Sequence, residues 1–234
     1  MIFKDVCDDL KEASSRGLTY LNIVEKGDKV SLKELYEDMK IIGEVEKLLF
    51  LDTETSHLNG YAVSIALILT DIEGNVLEQD YFLVNPGVKI DPETIEIHKI
   101  TDEMVSKENP FSYYLDTITH YFNQADAIVA HNSLYDIGIF LNEYERLNID
   151  FHPVLRNHID TMKYLKQQIT YNVRVKNPNL GECADMLGIQ KEKEDLHNAL
   201  VDTELLLEVY KGAISGKEMV LTEDIVLNNK KKEN

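Results

Sequence analysis

The sequence predicts an α/β fold, a mixed five-stranded sheet with a three-strand antiparallel meander plus parallel strands, flanked by helices. Two observations predict it. Between residues 48 and 86, three apolar runs follow one another across short turns that leave no room for a crossover helix, so they pair antiparallel. From residue 111 onward, helical and strand patterns alternate, as they do where helices join parallel strands.

The first strand is LLFLD at 48–52, a continuous apolar run of the kind buried on both faces. A second strand covers 61–71, Glu73-Gly74-Asn75 makes the turn, and a third strand over 76–86 ends at Pro86. Helical periodicity marks 111–124, AIVAHN at 127–132 reads as a strand, and 133–148 reads as an amphipathic helix. A short strand near 157–160 and helices over 179–188 and 196–214 complete the pattern. Ahead of this domain, helices at 4–16 and 31–47 form an N-terminal appendage, the second opened by a Ser31/Glu34 capping box. The expected organisation is therefore 1–47 appendage, 48–216 main domain and 217–234 short tail.

Length and composition narrow the class. With 234 residues and 44% hydrophobic content the chain can bury a core. Cys7 and Cys183 are too few for a disulfide framework. The N-terminal stretch shows no secretory h-region, and no segment approaches the roughly 18 apolar residues of a membrane span. The expectation is a cytoplasmic protein with no membrane partner. The net charge of −18 points away from a phosphate-binding surface.

Some acids stand where acids are unwelcome. Asp52 and Glu54 end a core strand and, at i and i+2, share one side of it, whereas Thr53 points to the other. Two such carboxylates repel unless a cation lies between them. Asp136 follows the apolar run AIVA, and Asp202 sits among Leu200, Val201, Leu205 and Leu206, with His197 near the start of the same helix. Each has an ordinary reading alone: a solvated strand end, a first-turn acid favoured by the helix dipole, a surface acid. Together, four carboxylates brought to one sheet edge form an oxygen-only ligand set for two hard divalent cations, Mg2+ or Mn2+. Two such ions roughly 3.5–4 Å apart serve phosphodiester cleavage.

DTET at 52–55, HNSLYD at 131–136 and HNALVD at 197–202 resemble the three motifs of the DEDDh, or DnaQ-like, 3′–5′ exonuclease superfamily, and within it the proofreading subunits of replicative bacterial DNA polymerases. VNP at 84–86, IHKIT at 97–101, Asp160-Thr161 and LGECADMLGI at 180–189 keep the family's order. The resemblance covers roughly residues 48–212. It implies a ribonuclease-H-like fold and hydrolysis of the 3′-terminal phosphodiester to release nucleoside 5′-monophosphates. By position, Asp52, Glu54, Asp136 and Asp202 would hold two metals and His197 would be the general base, a role that suits a group titrating near neutrality. Thr55, Leu58, His98 and Asn132 match positions near the terminal nucleotide. The implied partners are a nucleic acid with a free 3′ end, single-stranded by preference, and a polymerase or replication complex.

The chain departs from the family pattern at Ser56-His57, where Thr-Gly is common, at Lys99, where Gly is common, and in the short stretch after Gly212. Lys163, Lys166, Arg174 and Lys176, interleaved with Tyr164 and Tyr171, form an acid-free run that could track a phosphate backbone and stack bases; a solvated helix–loop is the plainer reading. DNA and RNA ends both fit chemistry that ignores the 2′-hydroxyl. The contrasting class is a nuclease-derived binding or scaffold subunit docking through 1–47; retention of all five motif residues argues against it. Two divalent cations would cancel four of the negative charges, and the excess that remains predicts a salt-sensitive grip concentrated at the 3′ end.

Overall fold

The computed structural model describes residues 45–149, 158–169, 177–190, 198–215 and 219. The appendage expected over 1–47 and the tail expected over 217–234 lie almost wholly outside these residues.

The sheet has five strands in the order β3-β2-β1-β4-β5. β1 (Lys47–Thr55), β2 (Ala62–Asp71) and β3 (Val76–Leu83) form the antiparallel meander, and β4 (Ala127–Ala130) and β5 (His158–Asp160) add in parallel beyond β1. β1 is thus a central strand. Leu48, Leu49, Phe50 and Leu51 are all fully buried, which explains an apolar run without alternation.

Helices cover both faces. Leu48 and Phe50 pack with Ile68, Val129 and the helix α7 (Ala199–Ile214), where Tyr210 meets Phe50 edge-on at 5.1 Å. Leu49 and Leu51 pack on the opposite face, against α3 (Phe111–Gln124) and α4 (Ser133–Arg146). Asp126 accepts the N–H groups of Glu46 and Lys47, both at 2.9 Å, which fixes the entry to β1.

Two helices were not expected: α1 (Pro92–His98) and α2 (Asp102–Val105) are too short to show a clear period. α5 (Thr161–Ile169) falls in the basic segment, where a helix–loop was the plainer reading. α5 corrects one reading of that segment. Tyr164 and Leu165 are buried in the core, so Tyr164 is not available to stack on a base. Lys163 pairs with Asp160 at 3.4 Å, and Lys166 donates to Asn177 Oδ1 at 2.6 Å. Tyr171, Arg174 and Lys176 lie outside the described residues. The remaining helix, α6 (Leu180–Met186), opens with a complete capping box between Asn179 and Glu182. β4 ends at Ala130 rather than at 132 because Asn132 takes a left-handed conformation, φ 68°, to start α4. No helix among the described residues is long and apolar enough to cross a membrane.

Candidate metal centre

The site forms where β1 outruns its neighbour. β4 pairs with β1 only as far as Phe50 opposite Val129. Beyond that point β1 continues alone on this side through Asp52, Thr53 and Glu54. Period-two alternation turns Asp52 and Glu54 toward α7 and Thr53 toward α4. Asp202, in the first turn of α7, meets the strand acids: Asp52, Glu54 and Asp202 each offer a carboxylate oxygen, all within 4.8 Å of one another.

Asp136 approaches from the other side. The carboxylate is buried and takes the N–H of Thr53 at 3.0 Å and the Thr53 hydroxyl at 2.8 Å, both on Oδ1. That N–H lies past the end of the β4 ladder, so the helix carboxylate replaces a strand partner. The charges still act on one another. Burial first, then Asp136, Glu54 and Asp202, hold Asp52 well above the usual carboxylate range. Burial, then Asp202 and Asp136, push Glu54 up to about 8. Burial raises Asp136 to about 7, against the lowering effect of the two Thr53 bonds. A cation among carboxylates crowded in this way would relieve their repulsion, and an oxygen-only donor set suits Mg2+ or Mn2+.

The other expected residues take distinct places. Leu58 is 76% exposed on the 56–61 loop between β1 and β2. Asn132 is exposed at the N-terminal end of α4. Thr55 and His98 are buried. His98 Nδ1 accepts the N–H of Ile100 at 3.0 Å, so Nε2 carries the proton and donates to the Thr55 carbonyl at 3.2 Å. Thr55 Oγ1 lies 3.0 Å from the Tyr135 hydroxyl. His197 lies outside the described residues; Asn198, next to it, caps α7 through the N–H groups of Leu200 and Val201.

Sequence reasoning missed Thr53 as the holder of Asp136, although its position between two acids on a strand was the available signal. It also missed Tyr81. The register sets Tyr81 opposite Ala66 and Ala66 opposite Asp52, so the phenol shares the acids' face; burial raises its pKa, and Glu54 adds to the rise.

Residues 49–210 match the exonuclease family. The DNA polymerase III subunit epsilon of Haemophilus influenzae is 30% identical over 189 residues, 74% of this chain and 70% of that protein. The Pasteurella multocida subunit of the same name is 26% identical over 198 residues, 80% of this chain and 75% of that protein. Among solved structures, Escherichia coli exonuclease I bound to single-stranded DNA superposes with a TM-score of 0.63 at 19% identity, covering 74% of this chain but only 41% of that one. Exonuclease X with a 5′-overhanging duplex gives a TM-score of 0.53 at 25% identity, covering 76% of this chain and 97% of that one.

Proposed function

This chain belongs to the exonuclease family, and from that premise we propose that it removes nucleotides from the 3′ end of single-stranded DNA, with two divalent cations held by Asp52, Glu54, Asp136 and Asp202. The observation that carries the reading is the convergence of Asp52, Glu54 and Asp202 within 4.8 Å at the open end of β1, with Asp136 beside them.

Bound cations would supply charge stabilisation for the attacking and departing oxygens of the phosphodiester. The chain's own residues do the rest. Thr53 orients the Asp136 carboxylate, and the cap at Asn198 fixes the start of the helix that presents Asp202. His197, immediately before that cap, takes the proton from the attacking water. Leu58 meets the terminal nucleotide from the exposed loop. The epsilon relatives are named as subunits of DNA polymerase III, which supports a polymerase as partner.

The test is release of mononucleotides from a 3′-end-labelled single strand, run beside a matched RNA. Loss of release in Asp52→Ala and in excess EDTA is expected; full activity in EDTA overturns the reading.

A further inference from the structure

Helix α4 does more than carry Asp136. Glu143 follows Asp136 by two turns and shares its face of the helix. Each carboxylate takes one backbone N–H from the strand pair beneath the site: Thr53 to Asp136 at 3.0 Å, Ala62 to Glu143 Oε1 at 2.9 Å. These two N–H groups flank the 56–61 loop. Ala62 stands where the ladder slips, since Glu54 pairs with Ser64 but Thr55 pairs with Ala62. Bulged pairing disrupts the ladder locally, and a buried N–H then needs another acceptor.

A carboxylate is a costly acceptor there, because the Glu143 side chain has 0% exposure. Arg146, one turn later, balances it at 2.6 Å. The same guanidinium donates to the Pro86 carbonyl at 2.7 Å and stands 4.2 Å from the centroid of the Tyr61 ring. Asn142 adds a bond to the Asn59 carbonyl at 3.0 Å. One helix thus grips the loop at Asn59, Tyr61 and Ala62. Between loop and helix lies a cavity of about 350 Å³, lined by His57, Gly60, Tyr61, Asn142 and Arg146 among others. The polar contacts, rather than apolar packing, therefore fix how far the loop stands from α4. A buried ion pair is a poor source of stability compared with apolar packing, so its use here points to position.

We propose that Glu143 and Arg146 are positioning residues that set the 56–61 loop, and with it Leu58, at the end of β1 that carries the acids, and so govern how tightly the 3′ end is held rather than how fast the bond breaks. The inference rests on the exonuclease reading above.

The test uses the full chain with Mg2+ on a labelled single-stranded oligonucleotide, and on a diaryl phosphate, an aryl ester that offers a phosphodiester with no nucleotide for the loop to hold. In Arg146→Ala, KM for the oligonucleotide should rise about tenfold with kcat within about twofold, and aryl-ester turnover should hold. Arg146→Lys should recover part of the loss, and Glu143→Gln, which keeps an oxygen for Ala62, should fall between. Equal losses on both substrates, or a fall in kcat at constant KM, overturn the proposal. A wild-type chain that releases no mononucleotides refutes the exonuclease reading instead. The clamp is then judged by hydrogen exchange: the amides of 56–62 should exchange faster in Arg146→Ala while β4 is unchanged, and unchanged exchange at 56–62 overturns it.

Discussion

Thr53 donates twice to one oxygen of Asp136, from its backbone N–H at 3.0 Å and from its hydroxyl at 2.8 Å. The residue lies between Asp52 and Glu54 but faces away from them. A single strand therefore presents two acids on one face and anchors a third from the other. Thr53→Val keeps the β-branched shape and removes only the hydroxyl donor. The buried carboxylate then loses one of its two bonds to Thr53, which should cost about 1–3 kcal/mol. Thermal denaturation should show the loss, and mononucleotide release should fall with it. An unchanged melting temperature would mean that the hydroxyl bond is not holding Asp136.

The raised carboxylates give a pH dependence of known sign. Glu54 is pushed up to about 8 and Asp136 to about 7, and Asp52 lies well above its usual range. Each exceeds its unfolded value, so the native chain holds more protons than the unfolded one across this interval. Their contribution to stability is complete below the unfolded pKa of about 4 and is lost as pH rises through 7 to 8. In EDTA the melting temperature should fall between pH 5 and 9, and Mg2+ or Mn2+ should raise it most at the alkaline end. Asp52→Asn removes one repelling charge, so at pH 8 the metal-free variant should melt above metal-free wild type while gaining less from the cation. Melting curves at the two pH extremes, with and without metal, check both signs.

Much of this site was legible in the sequence because its residues break patterns. An acid ending a fully apolar run at Asp52, a second acid two residues on, and acids interrupting apolar periodicity at Asp136 and Asp202 all stand out against a core. The meander was legible too: Leu48 to Leu51 form a short apolar run of the kind buried on both sides, and the turn at Glu73-Gly74-Asn75 separates the strands that follow. What was not legible depends on where strands stop. The end of the β4 ladder at Val129 frees the Thr53 N–H, and the slip at Thr55 gives the Ala62 N–H to Glu143. Neither follows from local periodicity, since register is a tertiary property. Tyr164 misled for a related reason: on α5 it faces the sheet, and its basic neighbours Lys163 and Lys166 are engaged by Asp160 and Asn177.

Gly60 tests how closely the loop is fitted. A Cβ there would lie 2.6 Å from His57 Nδ1 and 2.7 Å from Ser56 Oγ, closer than real contacts allow. These two atoms are themselves 3.0 Å apart, as hydrogen-bond partners. Gly60→Ala must therefore swing the imidazole away and break that bond. A destabilisation of about 1 kcal/mol is expected, at the low end for overpacked sites, because the clashing atoms are side-chain ends that can turn aside. Because Leu58 rides on the same loop, KM for an oligonucleotide should rise as well. Wild-type KM and melting temperature in this variant would show that the loop adapts freely.

Asp160 holds the start of α4 in place. Its Oδ1 accepts the N–H of Asn132 and of Met162, both at 3.1 Å, and of Lys163 at 3.4 Å, while Lys163 Nζ stands 3.4 Å from Oδ2. Asn132 needs this support, because a residue at φ 68° is held there only when its surroundings favour it. The helix that begins at Ser133 carries Asp136 in its first turn. Asp160→Ala leaves these part-buried N–H groups without their acceptor and should cost more stability, by urea midpoint, than Asp160→Asn, which keeps an oxygen for them. Misplacing Asp136 by even about 1 Å should lower the rate on the order of 100-fold, so Asp160→Ala should lose far more activity than Asp160→Asn. Equal midpoints and equal rates in the two variants would show that the start of α4 is fixed without the Asp160 acceptor.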